Sequence, residues 1–256
     1  YVEVSSADEF PYTISGLEAG ATYCFAVQQN CGGAFSEIIS ITMPNVVMDM
    51  PYYQSFDSED DLAGWQISSN GVNVWNYGTA TNNTLGEAQS GALYISDDNG
   101  ATNHYRTDTA AISYAAINVA FGDAPRFELS FDYKVKGEEV CEYDEYYDDE
   151  YCYGVDFLQV YVMPIDAVLS TTSLPSSSSY NKTTYDLFDE TDWVNYSVIL
   201  DSTYANSVKK IVFAWKNDRA DGQQPPAAID NIRIRAINCS DITDLAAVPQ
   251  SGSESA

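Results

Sequence analysis

Basic residues are scarce in this chain. Its 256 residues carry 11 Lys and Arg against 38 Asp and Glu, a formal charge of −27. Phosphate backbones need a basic face, so nucleic acid is excluded as a partner. Histidine is scarcer, with His104 alone, and no two cysteines stand as Cys-x-x-Cys. A zinc centre therefore lacks ligands of the right type and spacing. No apolar run reaches the ~20 residues of a membrane span, which excludes membrane insertion. Amphipathic helical repeats are missing, and with them the parallel α/β sheets that need crossover helices. No Gly-x-Ser-x-Gly elbow and no Cys–His arrangement is found, so the chain is not read as an enzyme. Carboxylate pairs for glycoside hydrolysis abound in so acidic a chain, and for that reason no pair stands out. No charged-then-apolar leader opens the sequence. The chain begins inside what reads as a domain, with the expectation that a leader was lost upstream.

What is present is alternation. Phe127, Leu129, Phe131, Tyr133 and Val135 fall on one face of a strand. Phe157–Met163, Trp193–Leu200 and Lys210–Lys216 read as three more, and Ala227–Ile234 as a fifth. Turn-rich stretches such as Asp97–Gly100 and Asp218–Gly222 separate them. The expected fold is all-β, an antiparallel two-sheet jelly-roll sandwich over residues 52–237. Residues 1–44 read as the C-terminal part of a smaller sandwich, 45–51 as a linker, and 238–256 as the start of a following module or a disordered tail. The stretch Ala227–Ile234 contains one misfit. Ala228, Ile232 and Ile234 share a parity, and Asp230 shares it too, which aims a carboxylate at an apolar face. A buried carboxylate is costly unless it is paired or binds a metal. Two readings stand: a turn-capping Asp, or a cation site tying this late strand to an early one.

Five cysteines are present: Cys24, Cys31, Cys141, Cys152 and Cys239. Cys141 and Cys152 flank a hairpin-like insertion holding six acids, and a disulfide there closes a loop of about a dozen residues, worth roughly 3 kcal/mol. Its rings, Tyr143, Tyr146, Tyr147 and Tyr151, read as a presented contact tip, since tyrosine offers area at low entropy cost; the bland alternative is a solvated insertion. Asp144, Asp148 and Glu150 are a candidate second calcium set, although the spacing is not that of an EF-hand. Cys24 and Cys31 are an alternative pair, but seven extended residues span ~20 Å, beyond disulfide reach unless the chain turns. Among the tryptophans, Trp193 and Trp215 sit in alternating strands and read as core. Trp75, with Tyr77 and the Asn82–Asn83 turn beside it, is the candidate sugar-stacking ring. Four Asn-x-Ser/Thr triplets and the triplet Asp108-Thr109-Ala110 complete the inventory of short motifs.

Several short motifs occur in a telling order: Ser55-Phe56-Asp57, Gly64-Trp65, Trp75, Ser90-Gly91, Trp193, Ile211–Trp215 and Ile229-Asp230-Asn231-Ile232-Arg233-Ile234. Over roughly residues 52–237 this resembles the cleaved-adhesin jelly rolls of the gingipain and haemagglutinin type, which are related in shape to MAM domains. The acidic insertion between Gly137 and Tyr153 departs from that pattern. The family's Trp-Leu-x-x-Pro strand is also not evident, with Arg106–Ile112 in its place. The spacing Gly16-Leu17, Gly20, Tyr23 resembles the corner before the penultimate strand of fibronectin type III domains. Such jelly rolls alternate with fibronectin-type modules on surface proteins of anaerobic Gram-negative bacteria. The resemblance implies calcium, with Asp57 and Asp230 as ligands and carbonyls around Ser90-Gly91 contributing. It also implies that Cys31 and Cys239 pair with cysteines of neighbouring modules.

The expected function is a non-catalytic adhesion or ligand-binding module, extracellular or on a bacterial surface, calcium-stabilised, with a host protein or glycan as ligand and other modules of its parent chain as neighbours. The rivals are an accessory targeting module of a secreted protease or glycosidase, the enzyme lying elsewhere in the parent, and a structural spacer.

Overall fold

The computed structural model describes residues 13–17, 20–28, 32–58, 62–81, 90–146, 148–176 and 181–238. Fifteen strands and no α-helix are found among them. Two sheets face each other. The first has seven strands, with β10 (Glu138–Asp144), β11 (Asp149–Pro164), β14 (Ser207–Asn217), β8 (Ala111–Phe121) and β3 (Met48–Asp49) in that spatial order. The short β12 (Asn181–Lys182) also pairs with β11, and β5 (Gln66–Ser68) with β8. The second has six strands: β13 (Glu190–Asp201), β9 (Arg126–Val135), β15 (Ala228–Ile237), β7 (Ala92–Ser96) and β6 (Val74–Gly78), with β4 (Tyr52–Gln54) also on β15. All pairings are antiparallel except β3 with β8. The fold is the expected all-β jelly-roll sandwich.

Alternation builds the core. Phe127, Leu129, Phe131, Tyr133 and Val135 of β9 all point between the sheets. They meet Leu158, Val160 and Val162 of β11 and Ile211, Phe213 and Trp215 of β14. Phe131 and Phe213 touch edge to face across the gap, centroids 5.2 Å apart, and Tyr105 meets Trp215 in the same way at 5.1 Å. Such contacts add to the area each ring already removes from water.

The first sheet is buried on its outer face as well. Tyr114, Ala116, Tyr161, Met163, Val212 and Ala214 pack there under Ala167, Leu169 and Leu174, which follow β11. A strand covered on both sides needs no polar alternate positions. That is why β8, Ala111–Phe121, gives no period-two signal and escapes a sequence reading that finds its partner β14. Tyr161 is so enclosed that its hydroxyl pKa is pushed up to about 12.

The expected linker belongs in part to the sandwich. Met48 and Asp49 pair with Val119 and Ala120, and Asn118 Nδ2 donates to the Val46 carbonyl at 3.0 Å. Before it, β1 (Thr22–Phe25) and β2 (Ile39–Thr42) form a two-stranded ribbon whose Ile39 and Ile41 are exposed. Cys24 of the ribbon is a free, exposed thiol. Cys31, Cys239 and the 239–256 tail lie outside the described residues. No helix among the described residues is long and apolar enough to cross a membrane.

Phe131→Ala is expected to destabilise the sandwich by about 3–5 kcal/mol, read by denaturant unfolding, because the cavity opens between both sheets. Ile41→Ala in the ribbon should change the same transition by less than about 0.5 kcal/mol.

Candidate functional site

The last strand corrects the parity reading. Ile229, Ile232 and Ile234 face the core, whereas Ala228 packs on the other side with Ala92, Tyr94 and Trp193. The pairing of β15 with β9 slips between Asp230 and Arg233, and Asn231 at the slip has a left-handed φ of 50°. This bulge inserts one residue and inverts the alternation. Asp230 therefore shares a face with Ala228 and not with Ile232 and Ile234. Its carboxylate is nonetheless buried, 1% exposed. Oδ1 accepts the Asn231 N–H at 2.6 Å and Oδ2 meets the Ser90 hydroxyl at 3.4 Å.

Asp132 is the register partner of Asp230 across the sheet. Amides hold its carboxylate: Asn195 Nδ2 donates to Oδ1 at 2.8 Å and Asn231 Nδ2 to Oδ2 at 3.0 Å. β4, which opens the stretch 52–237, lies beside the last strand, with Gln54, Tyr53 and Tyr52 opposite Ile232, Arg233 and Ile234. Gly91 packs hard on the first strand's exit: a Cβ there would lie 1.6 Å from the Phe56 carbonyl oxygen. Ser90 and Asp230 bring two side-chain oxygens together, and the Phe56 carbonyl packs against the neighbouring Gly91. Asp57 is exposed, one residue beyond Phe56.

Trp75 is not a presented ring. It is 3% exposed, lies in the core, and its indole N–H donates to the Ser113 carbonyl at 3.2 Å. Tyr77 is half-buried against the same core. The reason is that β6 pairs with β7 and turns its odd-numbered rings inward, a pairing hidden by the Asn- and Gly-rich sequence around it. Trp193 and Trp215 are buried as expected.

Four exposed rings, Tyr143, Tyr146, Tyr151 and Tyr153, lie on the hairpin of β10 and β11, while Tyr53 and Tyr185 are exposed elsewhere. Cys141 and Cys152 are directly opposite and form a disulfide. Side chains alternate from there. Tyr143 shares the face of the disulfide, while Glu142, Tyr151 and Tyr153 share the other. Tyr151 and Tyr153 stack at 6.3 Å between centroids with planes 28° apart. Both hydroxyls donate to one carboxylate, Tyr151 to Glu142 Oε2 at 2.7 Å and Tyr153 to Oε1 at 2.9 Å. These bonds to the two phenols hold the Glu142 carboxyl below its usual pKa and push both phenols up. Tyr146 at the tip is 86% exposed; Tyr147 lies outside the described residues. Tyr153 is a residue the sequence reading missed, although its period-two spacing from Tyr151 was available to find it.

The candidate calcium set Asp144, Asp148 and Glu150 does not converge. Asp144 Oδ1 accepts the Tyr146 N–H at 2.8 Å, and Asp148 binds the Tyr143 hydroxyl. Both carboxylates shape the turn instead.

No protein-family model matches this chain, and no curated protein matches it. Solved structures of similar shape exist. The carbohydrate-binding module TmCBM61, solved with β-1,4-galactotriose, is 10% identical, TM-score 0.41, over 69% of this chain and 90% of that one. The CBM22-1 xylan-binding domain of Paenibacillus barcinonensis Xyn10C is 14% identical, TM-score 0.41, over 74% and 95%. The K1 cleaved adhesin domain of Lys-gingipain from Porphyromonas gingivalis W83 is 15% identical, TM-score 0.42, over 74% and 99%. A likeness of this degree assigns neither a family nor a ligand.

Replacing Cys141 and Cys152 by Ser is expected to cost up to about 3 kcal/mol and to speed amide exchange over residues 140–153. Gly91→Ala should be the more damaging change, with a drop in unfolding midpoint read calorimetrically, because backbone oxygen leaves no room for its methyl.

Proposed function

We propose that this chain is a non-catalytic binding module that takes glycans on the tyrosine face of its β10–β11 hairpin and holds a structural calcium around Asp230. The observation that carries the reading is the exposed, stacked pair Tyr151 and Tyr153 with the Glu142 carboxylate between their hydroxyls. A pyranose has one apolar C–H face and a rim of hydroxyl donors. Two rings in line offer the flat apolar surface, and a carboxylate fixed beside them offers acceptors to the rim. The rings are ordered before binding, since both phenols and the disulfide restrain them, so little rotamer entropy is lost on contact.

The setting proposed is extracellular or a bacterial surface. The Cys141–Cys152 disulfide supports it, because such bonds persist in oxidising compartments. Calcium is supported by the donor chemistry: the buried Asp230 carboxylate and the Ser90 hydroxyl that meets it are both hard oxygens. Asp57, exposed and one residue beyond Phe56, is taken as a further ligand. An ion there would clamp β4 to β15 and so join the two ends of the sandwich. The ribbon of β1 and β2 is taken as the remnant of a fibronectin type III-like neighbour.

A basic host protein is the second reading, favoured by the acids Glu142, Asp144 and Glu150 around the rings. An accessory targeting module attached to an enzyme uses the same face, and a pure spacer uses none.

Two measurements check this. On a panel of immobilised plant and mucin-type glycans, the Tyr151→Ala/Tyr153→Ala variant should bind about 10–100-fold more weakly than wild type, since each lost ring contact is worth about 0.5–1.5 kcal/mol. Binding that is salt-sensitive, confined to basic proteins and blind to glycans would favour the host-protein reading; no binding at all would favour the spacer. For the clamp, calcium should raise the unfolding midpoint of wild type by more than that of Asp230→Asn. Equal rises would remove calcium from Asp230.

A further inference from the structure

The root of the hairpin holds another carboxylate cluster, on residues separate from Asp230 and from the tyrosine face. Glu138 opens β10 and is the register partner of Asp156 in β11, with a bulge between Glu138 and Glu139. Asp218 directly follows β14, whose Lys216 pairs with Phe157. Three consecutive segments of one sheet thus bring one carboxylate each to a single corner. An oxygen from each lies within 4.8 Å of the other two.

This corner is partly closed to water, with Glu138 and Asp218 half-buried. Asp156 is fully buried, and Glu138 Oε2 is shut off from solvent with no hydrogen-bond partner. Burial, with the neighbouring acids adding to it, pushes the Glu138 carboxyl up, and burial does the same to Asp156. The Tyr105 hydroxyl donates to Asp156 Oδ2 at 2.7 Å and the Asp218 N–H to Oδ1 at 2.8 Å. The Asp218 carboxylate accepts the Ala220 N–H at 2.7 Å. Among the described residues no Lys or Arg forms an ion pair with any of the three. Lys216 turns its ammonium to the Val155 carbonyl and the Phe157 ring.

The backbone is drawn tightly around the acids. Gly137 has φ 60°, and a Cβ there would lie 2.1 Å from the Asp156 carbonyl oxygen. Gly222 has φ 70°, and its Cβ would meet the Tyr105 hydroxyl at 2.4 Å and Asp156 Oδ2 at 3.1 Å. Two chain segments therefore give up side chains to approach three anions, one of which has an oxygen with nothing to bind.

We propose that Glu138, Asp156 and Asp218 form a binding site for a hard divalent cation of calcium's size at the root of the hairpin. Oxygens bound to one calcium at about 2.3–2.6 Å can be at most ~5 Å apart, and the three oxygens satisfy that limit. An all-oxygen, anionic donor set suits calcium or magnesium and not zinc. The unpartnered Glu138 Oε2 and the repulsion among three crowded carboxylates are both answered by one ion. An ion here ties β10, β11 and the loop after β14 together, and so fixes the hairpin relative to the sandwich. Tyr105 is a positioning residue, holding Asp156 through its hydrogen bond to Oδ2.

The test is isothermal titration of calcium into the full chain and its variants. Glu138→Gln and Asp218→Asn should each lower the number of calcium ions bound by one relative to wild type. In an Asp230→Asn background, each should weaken the remaining binding at least tenfold. In chelator both variants are expected to melt higher than their parent, because repulsion is relieved; in calcium the order should reverse. Asp218 lies at the rim of the cluster, so Asp218→Asn carries the test if Glu138→Gln fails to fold. Unchanged stoichiometry and affinity in both variants, or no calcium binding in Asp230→Asn, would overturn the site. A higher midpoint in chelator and calcium alike would show a cluster that holds protons and no cation. The glycan face is tested at Tyr151 and Tyr153, so either idea can fail alone.

Discussion

Two apolar sheet faces pressed together hold this chain, and the first sheet must be covered twice. Phe131 from one side and Phe213 from the other fix the spacing between the sheets. Beyond that interface, the outer face of the first sheet would be bare without Ala167, Leu169 and Leu174 laid over it. The segment after β11 is thus part of the core rather than a surface loop. With both faces dry, β8, β11 and β14 form a slab, and the tyrosine hairpin and the Glu138–Asp156–Asp218 corner lie at its ends.

The strong net negative charge is not confined to the surface. Asp132, Asp156 and Asp230 are all buried. Each sits where strand pairing is interrupted or ends: Asp132 and Asp230 at the bulge between β9 and β15, Asp156 beside the bulge at the start of β10. Bulges free backbone N–H groups from the ladder and let side chains turn back on them. The Asn231 N–H on Asp230 is one case. Asn amides supply the rest at Asp132. The buried acids are therefore a property of irregular backbone, and regular strands would have excluded them.

How much of this was legible in the sequence follows from the same physics. Strands with one wet face or one clear parity, β9 above all, declared themselves by alternation. The disulfide and the exposed tip tyrosines were legible because acids, rings and cysteines are crowded within a few residues. β8 was not, since a strand buried on both faces has no alternation to show. Trp75 was misjudged because its flanking Asn and Gly residues look like a loop while β7 pairs with it from the far side of residues 82–89. The face of Asp230 was misjudged because a single left-handed Asn inverts parity and nothing local announces it. Glu138, Asp156 and Asp218 were invisible because three distant segments meet only through sheet pairing.

One feature of β11 bears on how the module behaves under load. The strand runs sixteen residues without a break, from Asp149 to Pro164. Its first half pairs with β10 in the hairpin and its second half, Phe157 to Pro164, pairs residue for residue with β14 in the slab. A pull on the hairpin tip is therefore transmitted along a single strand axis and loads the β11–β14 hydrogen bonds in parallel, as shear. Bonds loaded together give way together, whereas an edge strand pulled sideways unzips one bond at a time. A tether attached at this tip would be resisted by the most deeply buried part of the molecule.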